Sequence, residues 1–306
     1  MSVSSLNESE FLARFRTRKN ERAIIDLTAR LVLSGASLWV TWLTISSDSL
    51  ILIIPTLWLT GLVINFWGWA GIGHEFFHST VFSSRRLNRF FFTFAAIITQ
   101  SNPGFFTVTH PRHHRKTLSP VDPENQSTVR IPSWQIPLLL SFNVFSFLKR
   151  LRILFLNSAG HVPNEFVTKF KLSSIEIQQI VFGARLILLV QSSVFLLLTL
   201  LGKISLAVIV LVAPHVNQFT TRCLELLQHK NCKIDSSSPF ETTRTLLLPR
   251  FLSWLYSNMN FHTEHHLHQG IPYYNLPKAS DELVANTGNE YRVSSINEMY
   301  EILFSS

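Results

Sequence analysis

Long stretches without charge constrain this chain more than any other feature of its sequence. The run from Leu50 to Gly73 contains 24 residues and no charged side chain. As a helix it would be roughly 36 Å long, which is enough to cross a hydrocarbon core of about 30 Å. Three more uncharged runs of near-spanning length occupy residues 31–47, 186–202 and 204–221. The sequence therefore predicts apolar helices that cross a membrane.

The composition agrees with this prediction, and the runs group into two hairpins. Only 15% of the residues are charged, against about 25% in a soluble domain. The turns of the hairpins are short, around Ser47 and Gly202. We predict an all-α integral membrane protein with one domain over residues 1–306. It has a polar N-terminal arm over 1–22 and spans near 24–45, 50–73, 180–201 and 204–221.

Two further apolar runs, 90–109 and 131–148, are long enough to span but are not predicted to do so. If the first crossed the bilayer, histidines before and after it would lie on opposite sides. It also contains Pro103 followed by glycine, which interrupts a helix. The second contains two prolines and runs into Lys149 and Arg150, as expected of an interfacial helix. The count is therefore about four transmembrane helices.

The distribution of basic residues predicts the orientation. Five basic residues precede the first apolar run and three follow the second, whereas the connection 46–49 has no Lys or Arg. Basic segments stay on the cytoplasmic side, so both termini and the first histidine cluster are expected there. No nucleic-acid motif accompanies the net charge of +8. Topology and lipid headgroups account for the charge, and no nucleic-acid partner is predicted.

Eight of the twelve histidines fall into three clusters. They are His74 and His78; His110, His113 and His114; and His262, His265 and His266. Spacings of three or four residues put the rings of a cluster on one helix face, one turn apart. Neutral imidazole binds iron, copper and zinc, and a structural zinc ion takes only four ligands. A b-type haem needs two histidines on facing helices rather than triplets. The clusters therefore predict a two-metal site of the non-haem iron type.

The order of these clusters, with apolar hairpins between them, resembles the membrane fatty acid desaturase family. The resemblance extends from about Ile24 to Lys278. Local segments that match are Asp122-Pro-Glu124, Thr242-Thr-Arg-Thr245, Trp254, Asn258 to Leu267 and Ile271 to Lys278. The resemblance implies a four-helix membrane stem with a cytoplasmic, histidine-rich cap that carries two iron ions.

The resemblance also implies a ninth histidine ligand, which matches His229. Relatives often have an asparagine four residues earlier, where this chain has Glu225. The expected metal ligands are His74, His78, His110, His113, His114, His229, His262, His265 and His266. Metal-bound histidines usually donate their second N–H to a carboxylate or carbonyl. Candidates for that supporting role are Glu75, Asp122, Glu124 and Glu264.

The remaining histidines are predicted to lie on the surface or to support the site. His161 is in a polar loop, and His268 just follows the third cluster. His215 differs from them because it lies within the fourth apolar run. Polar groups inside a span usually line a cavity or an active site, so His215 is the most interesting of the three.

The resemblance implies an O₂-dependent diiron oxidase, an oxidoreductase that most often desaturates a fatty acyl chain. Hydroxylases, ketolases and acetylenases are similar to this family and stay open as alternatives. A non-catalytic metal-binding membrane protein is the alternative from a different class. The chain has no haem domain, flavin fingerprint or iron–sulfur cysteine run. We therefore expect a separate electron donor, a ferredoxin or a small b-type cytochrome with its reductase, besides membrane lipid and the acyl-type substrate.

Overall fold

Almost all regular structure in the computed structural model is helical. Residues 11, 14–47, 49–288 and 291–304 are described. Part of the predicted N-terminal arm, Asp48 of the first hairpin turn, and the two C-terminal residues lie outside them. The helices are α1 Asn20–Ser46, α2 Leu50–Asn65, α3 Ile72–Phe77, α4 Arg85–Ile98, α5 Pro103–Arg115, α6 Ile136–Leu140, α7 Val144–Ser158, α8 Asn164–Phe170, α9 Ser174–Leu200, α10 Ile204–Val212, α11 Phe219–His229, α12 Pro239–Thr242, α13 Arg250–Leu255, α14 His262–Leu267, α15 Leu276–Thr287 and α16 Ile296–Phe304.

Short elements complete the fold. Single 3₁₀ turns cover Ser133–Gln135, Ala213–His215 and Tyr273–Asn275. Strands β1, Thr245–Leu246, and β2, Arg292–Val293, form a two-stranded parallel sheet. The sheet connects the segment before α14 to the C-terminal region. Helix α16 packs on α11, and the buried Lys230 ammonium donates a 2.6 Å hydrogen bond to the Leu303 carbonyl.

Four helices form the two predicted hairpins. Helix α1 packs on α2, α9 packs on α10, and α10 also contacts α1. Hydroxyls join the first hairpin, with Thr41 and Thr60 at 2.9 Å and Thr44 and Thr56 at 3.1 Å. The capping box of Ser173 and Glu176 begins α9. Large apolar side chains such as Ile51 (85% exposed) and Leu200 (76% exposed) cover the outside.

Within the described residues, two helices are long and apolar enough to cross a membrane by length and composition. These are α1 and α9, with 27 residues each. Their hairpin partners are apolar but shorter, with 16 residues in α2 and nine in α10 before the 3₁₀ turn. At 1.5 Å per residue, α2 is only about 24 Å long. The structure thus agrees with an all-α fold, and the count of four spans stays a prediction.

The helix of the first long uncharged run ends earlier than its composition predicts. A single helix over 50–73 would carry His74 at its end, but α2 ends at Asn65 and the histidine lies on the separate helix α3. The chain folds back between them, and the Ile72 N–H donates to the Phe66 carbonyl at 3.1 Å. A Cβ on Gly71 would lie 2.0 Å from that carbonyl oxygen. The prediction of one continuous helix is therefore wrong.

The run 90–109 is interrupted next to Pro103, as predicted. Helix α4 ends at Ile98 and α5 begins at Pro103, with the Asn102 side chain accepting from the Gly104 N–H. A Cβ on Gly104 would lie 2.2 Å from the Gln179 carbonyl oxygen, so glycine lets α5 pack closely on α9. Pro111 lies in the interior of α5. The helix tolerates the missing N–H at this position.

The run 131–148 does not form one interfacial helix. It is divided between the 3₁₀ turn at Ser133, the short helix α6, and the start of α7. Arg150 of α7 turns inward, where its guanidinium donates to the Thr99 carbonyl at 2.6 Å. The prediction of a single helix is therefore wrong for this run, and Arg150 is buried in part, whereas Lys149 and Arg152 are exposed.

Candidate metal centre

Nine buried or half-buried histidines meet at the junction of the apolar hairpins and the polar helices. Their ligand atoms form two groups, within each of which all atoms lie within 4.8 Å of one another. The first group is His74, His78, His110, His114 and His265, and the second is His113, His229, His262 and His266. The structure thus brings together every histidine that the sequence predicts as a ligand, including His229.

Each triplet of histidines divides between the two groups. In α5, His110 and His114 belong to the first group and His113 to the second. In α14 the roles are reversed, because His262 and His266 belong to the second group and His265 to the first. Adjacent residues of a helix point about 100° apart, so neighbouring rings face different groups. The spacing within each triplet did not predict this division between two groups.

The nitrogens of the first group converge as ligands of one ion would. The Nε2 atom of His110 lies 3.1 Å from that of His78 and 2.9 Å from that of His114. The His114 Nε2 atom lies 3.2 Å from that of His265. Two ligand nitrogens at right angles, each about 2.1 Å from a metal, are about 3.0 Å apart. The Nε2 atom of His74 is buried without a hydrogen-bond partner among the described residues. These residues fit a metal ion.

The second group has the same character with one ring fewer. The Nε2 atom of His262 lies 2.8 Å from that of His229 and 3.1 Å from that of His266. The His113 ring stands perpendicular to the His229 ring, with centroids 4.9 Å apart. The two groups adjoin each other, since the rings of His114 and His266 have centroids only 4.3 Å apart. The geometry therefore suits two neighbouring ions.

Burial keeps rings such as His74, His229 and His262 neutral near pH 7, which leaves their lone pairs able to bind metal. Burial, followed by the charge of a neighbouring histidine, lowers the pKa values of His74, His78 and His229 to about 3. The same causes lower the pKa of His262 and His265 well below the usual value. Without a metal ion, protons would compete poorly for these nitrogens.

Carboxylates hold the outer nitrogens of three rings. The Nδ1 atom of His110 lies 2.9 Å from Glu124, that of His113 lies 3.0 Å from Asp122, and that of His74 lies 3.2 Å from Glu75. Such contacts select the tautomer and orient the ring. Burial would raise the pKa of Asp122, but hydrogen bonds, chiefly from His113, lower it overall. Burial raises the pKa of Glu75 to about 7.

Glu264 differs from the other candidate carboxylates. It accepts hydrogen bonds from Thr245, Ser280 and Tyr291 rather than from a histidine. It therefore joins α14 to β1 and the C-terminal region. The outer nitrogen of His229 donates instead to the Thr242 carbonyl at 3.0 Å.

The three other histidines lie outside both groups. His161 is exposed in the loop after α7. His215 is buried, and its Nε2 atom lies 3.2 Å from the side-chain oxygen of Gln100. The His268 ring packs 5.3 Å from that of Phe11. His215 thus contributes to the contact between α10 and the segment after α4.

A small chamber of about 70 Å³ adjoins both histidine groups. Its walls include Trp69, Phe106, Glu225, Tyr256 and Met259. The Trp69 ring stacks on Phe106 at 4.4 Å, and Phe106 stacks on His110 at 4.3 Å. The sequence singled out only Glu225 among these residues. The tryptophan, tyrosine and methionine carry no local signal that separates them from ordinary core residues.

Replacing Asp122 by asparagine is expected to weaken metal binding or activity by about 10- to 100-fold, as loss of such an outer contact typically does. The amide keeps the size of the side chain but removes the charge that faces His113. Metal content and turnover of the purified variant would measure the effect. Glu298→Gln is the matched control, because Glu298 is exposed on α16. Equal behaviour of the two variants would contradict this role of Asp122.

Sequence comparison agrees with the arrangement of these residues. The family model described as fatty acid desaturase matches residues 48–295, which is more than half of the chain. The match includes all nine histidines and the three carboxylates that contact them. A search of curated proteins finds no individual match.

Proposed function

Because the chain belongs to the fatty acid desaturase family, we propose that it is an O₂-dependent diiron membrane oxidase that desaturates a fatty acyl chain. The family is membrane-associated, its members are oxidoreductases, and it implies a lipid acyl substrate. The observation that carries the proposal is the pair of adjacent histidine groups, with five and four rings. One ion would leave half of these nitrogens unused.

In this proposal the two groups hold two iron ions, and the ligands are the nine histidines. When bound, the irons would supply the activation of O₂ that removes hydrogen from an unactivated C–H bond. Four or five imidazoles per ion leave at least one position open if the ion is six-coordinate. Contacts with carboxylates fix the orientation of three of these rings. Glu75 orients His74, Asp122 orients His113, and Glu124 orients His110.

The remaining task of the protein is to position the substrate and exclude water. Trp69 and Phe106 form an aromatic wall against the first histidine group, and Tyr256 and Met259 line the chamber beside them. An alkyl segment in this chamber would lie against the rings of both groups. Because the chamber is small, it would admit a few carbons of a chain at a time. Such confinement would select one position of the chain for reaction.

The product identifies the reaction. Expression in a lipid-rich host, followed by mass spectrometry of total lipids and small metabolites, should reveal molecules that have lost two hydrogen atoms. Addition of one oxygen atom would instead indicate the hydroxylase alternative. A His262→Ala variant serves as the control, because His262 belongs to the second histidine group. Identical metabolite profiles, together with bound iron that does not react with O₂ and added reductant, would favour a non-catalytic metal-binding protein.

The electrons require a partner. We expect a ferredoxin or a small b-type cytochrome with its reductase, since no haem, flavin or iron–sulfur motif is present in the sequence. Exposed arginines Arg85, Arg86 and Arg89 at the start of α4 lie close in sequence to His78 and to the first histidine group. A donor with an acidic surface would associate there.

We also propose a multi-pass protein with four spans and with the histidines and both termini on the cytoplasmic side. Support comes from the two hairpins and from the distribution of basic residues. Although α2 and α10 are short, the two hairpins are joined at their ends: the amide of Asn65, the last residue of α2, donates to the carbonyl of Val216, which follows the 3₁₀ turn after α10, at 2.8 Å. A locally thin bilayer or tilted partner helices would accommodate them.

Cysteine labelling tests this topology. In a background without Cys223 and Cys232, cysteines at Ser47 and Lys203 should react from the non-cytoplasmic side only. A cysteine at Val121, which is 54% exposed, should react from the cytoplasm only. A cysteine at the exposed Ser237 should do the same. The predicted topology fails if Val121 and Ser237 are labelled from opposite sides.

A further inference from the structure

A larger cavity, of about 530 Å³, lies next to the chamber at the histidine groups. Trp69 and Glu225 line both spaces, so these two side chains form the boundary between them. The rest of the lining is half polar, and includes Trp134, Gln135 and Asn143. A cavity for an alkyl chain alone would be apolar. The polar part indicates that the occupant also carries a polar group.

The charges in this cavity are unbalanced. Three cations, Lys149, Arg150 and Arg222, face one carboxylate, that of Glu225. Arg222 is already engaged, since it lies 3.7 Å from Glu225 and donates to the Gln126 side chain at 3.1 Å. An excess of positive charge therefore remains at the end formed by α7.

Arg150 is the cation best placed to bind a ligand. It donates to the Thr99 carbonyl at 2.6 Å and to the Ser101 hydroxyl at 3.3 Å, both neutral acceptors. No carboxylate lies within ion-pair distance of it in the part of the chain that the structure describes. The nearest counter-charge in the cavity is the Glu225 carboxylate, which already pairs with Arg222, and a half-buried cation without a direct ion pair is costly. The guanidinium still has N–H groups available, and its planar fork suits a carboxylate or a phosphate.

On the basis of this charge distribution, we propose that the cavity receives the terminal anionic group of the substrate, a carboxylate or a phosphate, with Arg150 as its principal contact. This inference rests on the proposed function, because it assumes that the acyl chain continues past Trp69 to the histidine groups. The head group then lies in this cavity, and its distance from the chamber determines which carbon reacts. Trp69 and Glu225 would contact the chain between its two ends.

Binding can be measured on the purified full-length protein with its metal, without turnover. A dibrominated long-chain fatty acid should quench tryptophan fluorescence saturably, because Trp69 and Trp134 line the cavity. The unbrominated acid should displace it. The methyl ester of the same acid has no charge, and should bind about 10- to 100-fold more weakly, as expected for loss of a charged hydrogen bond. Equal affinity for the acid and the ester would overturn the proposal.

Two variants with opposite expected effects on binding of the acid test the role of the cavity charges. Arg150→Gln should weaken binding of the acid by about 10- to 100-fold and leave the ester unaffected. Glu225→Gln removes the only carboxylate among the described residues that line the cavity, and should strengthen binding of the acid. Arg152→Gln is the matched control, because Arg152 is exposed on the same helix and does not line the cavity. If Arg150→Gln and Arg152→Gln bind the acid equally well, Arg150 is not the contact.

A lysophosphatidate with the same brominated chain distinguishes the two anions. Tighter binding than the fatty acid, with the same dependence on Arg150, would identify a phosphate as the head group. Weaker binding would identify a carboxylate. Because the acid and ester are compared on the unmodified protein, the proposal stays testable even if Arg150→Gln fails to fold. A protein that binds the acid through Arg150 but yields no oxidised product would contradict the proposed function and not this site.

Discussion

A His229→Ala variant is expected to lose turnover completely and to retain about one metal ion per chain instead of about two. His229 belongs to the smaller group, whose other members are His113, His262 and His266. The variant keeps three ligands in this group. It also loses the hydrogen bond from the His229 ring to the Thr242 carbonyl. The stem helices do not depend on this ring, so the protein should still insert and fold. Elemental analysis and a turnover assay on the purified variant would measure both effects.

The control for this variant is His161→Ala. His161 is exposed and lies outside both histidine groups, so its replacement should change neither metal content nor activity. Near-normal activity and metal content in His229→Ala would mean that another group completes the second site. Glu225 would be the next candidate, since it lines the same chamber.

Alanine at His265 and alanine at His266 are expected to remove different ions, although these residues are adjacent in the chain. His265 belongs to the first group with His74, and His266 belongs to the second. The loss should be more complete for His266→Ala, since the second group retains only three ligands. The first group keeps four ligands when His265 is removed. Mössbauer spectra of the iron-loaded variants should therefore lose different components.

The metal content of double variants also tests which histidines bind the same ion. The pair His74→Ala and His265→Ala affects one group only, and should leave about one ion per chain. The pair His265→Ala and His266→Ala affects both groups, and should leave less than one. Losses within one group are coupled, while losses in separate groups are closer to additive. Equal metal content in the two double variants would contradict the division of ligands between the groups.

Helical class and the identity of the histidines could be predicted from the sequence because both depend on local patterns. Uncharged runs and short turns indicate paired helices whatever surrounds them. The three clusters have spacings that repeat with the helix turn. Asp122 and Glu124 follow the second cluster closely enough to contact the rings of the same segment. Only the family resemblance identified His229 as a ligand, because a lone histidine beside a lysine matches no metal-binding motif.

The ends of helices were harder to predict, because they depend on contacts with other segments. Uncharged residues continue to Gly73, but α2 ends at Asn65, where the Asn65 amide finds the Val216 carbonyl of the second hairpin. Helix α5 begins at Pro103 because Asn102 caps it and also donates to the Ile180 carbonyl of α9. Neither partner can be found by reading along the chain.

By itself, the sequence determined that this chain is helical and apolar, with enough histidines in register to hold two metal ions. Only the tertiary structure decided which histidine belongs to which group. That division depends on how α5 and α14 face each other, with His113 turned to one site and His114 to the other. The cavity beside the metal centre was likewise decided in three dimensions. Arg150 and Glu225 are 75 positions apart in the sequence, and only packing brings their charges into the same space.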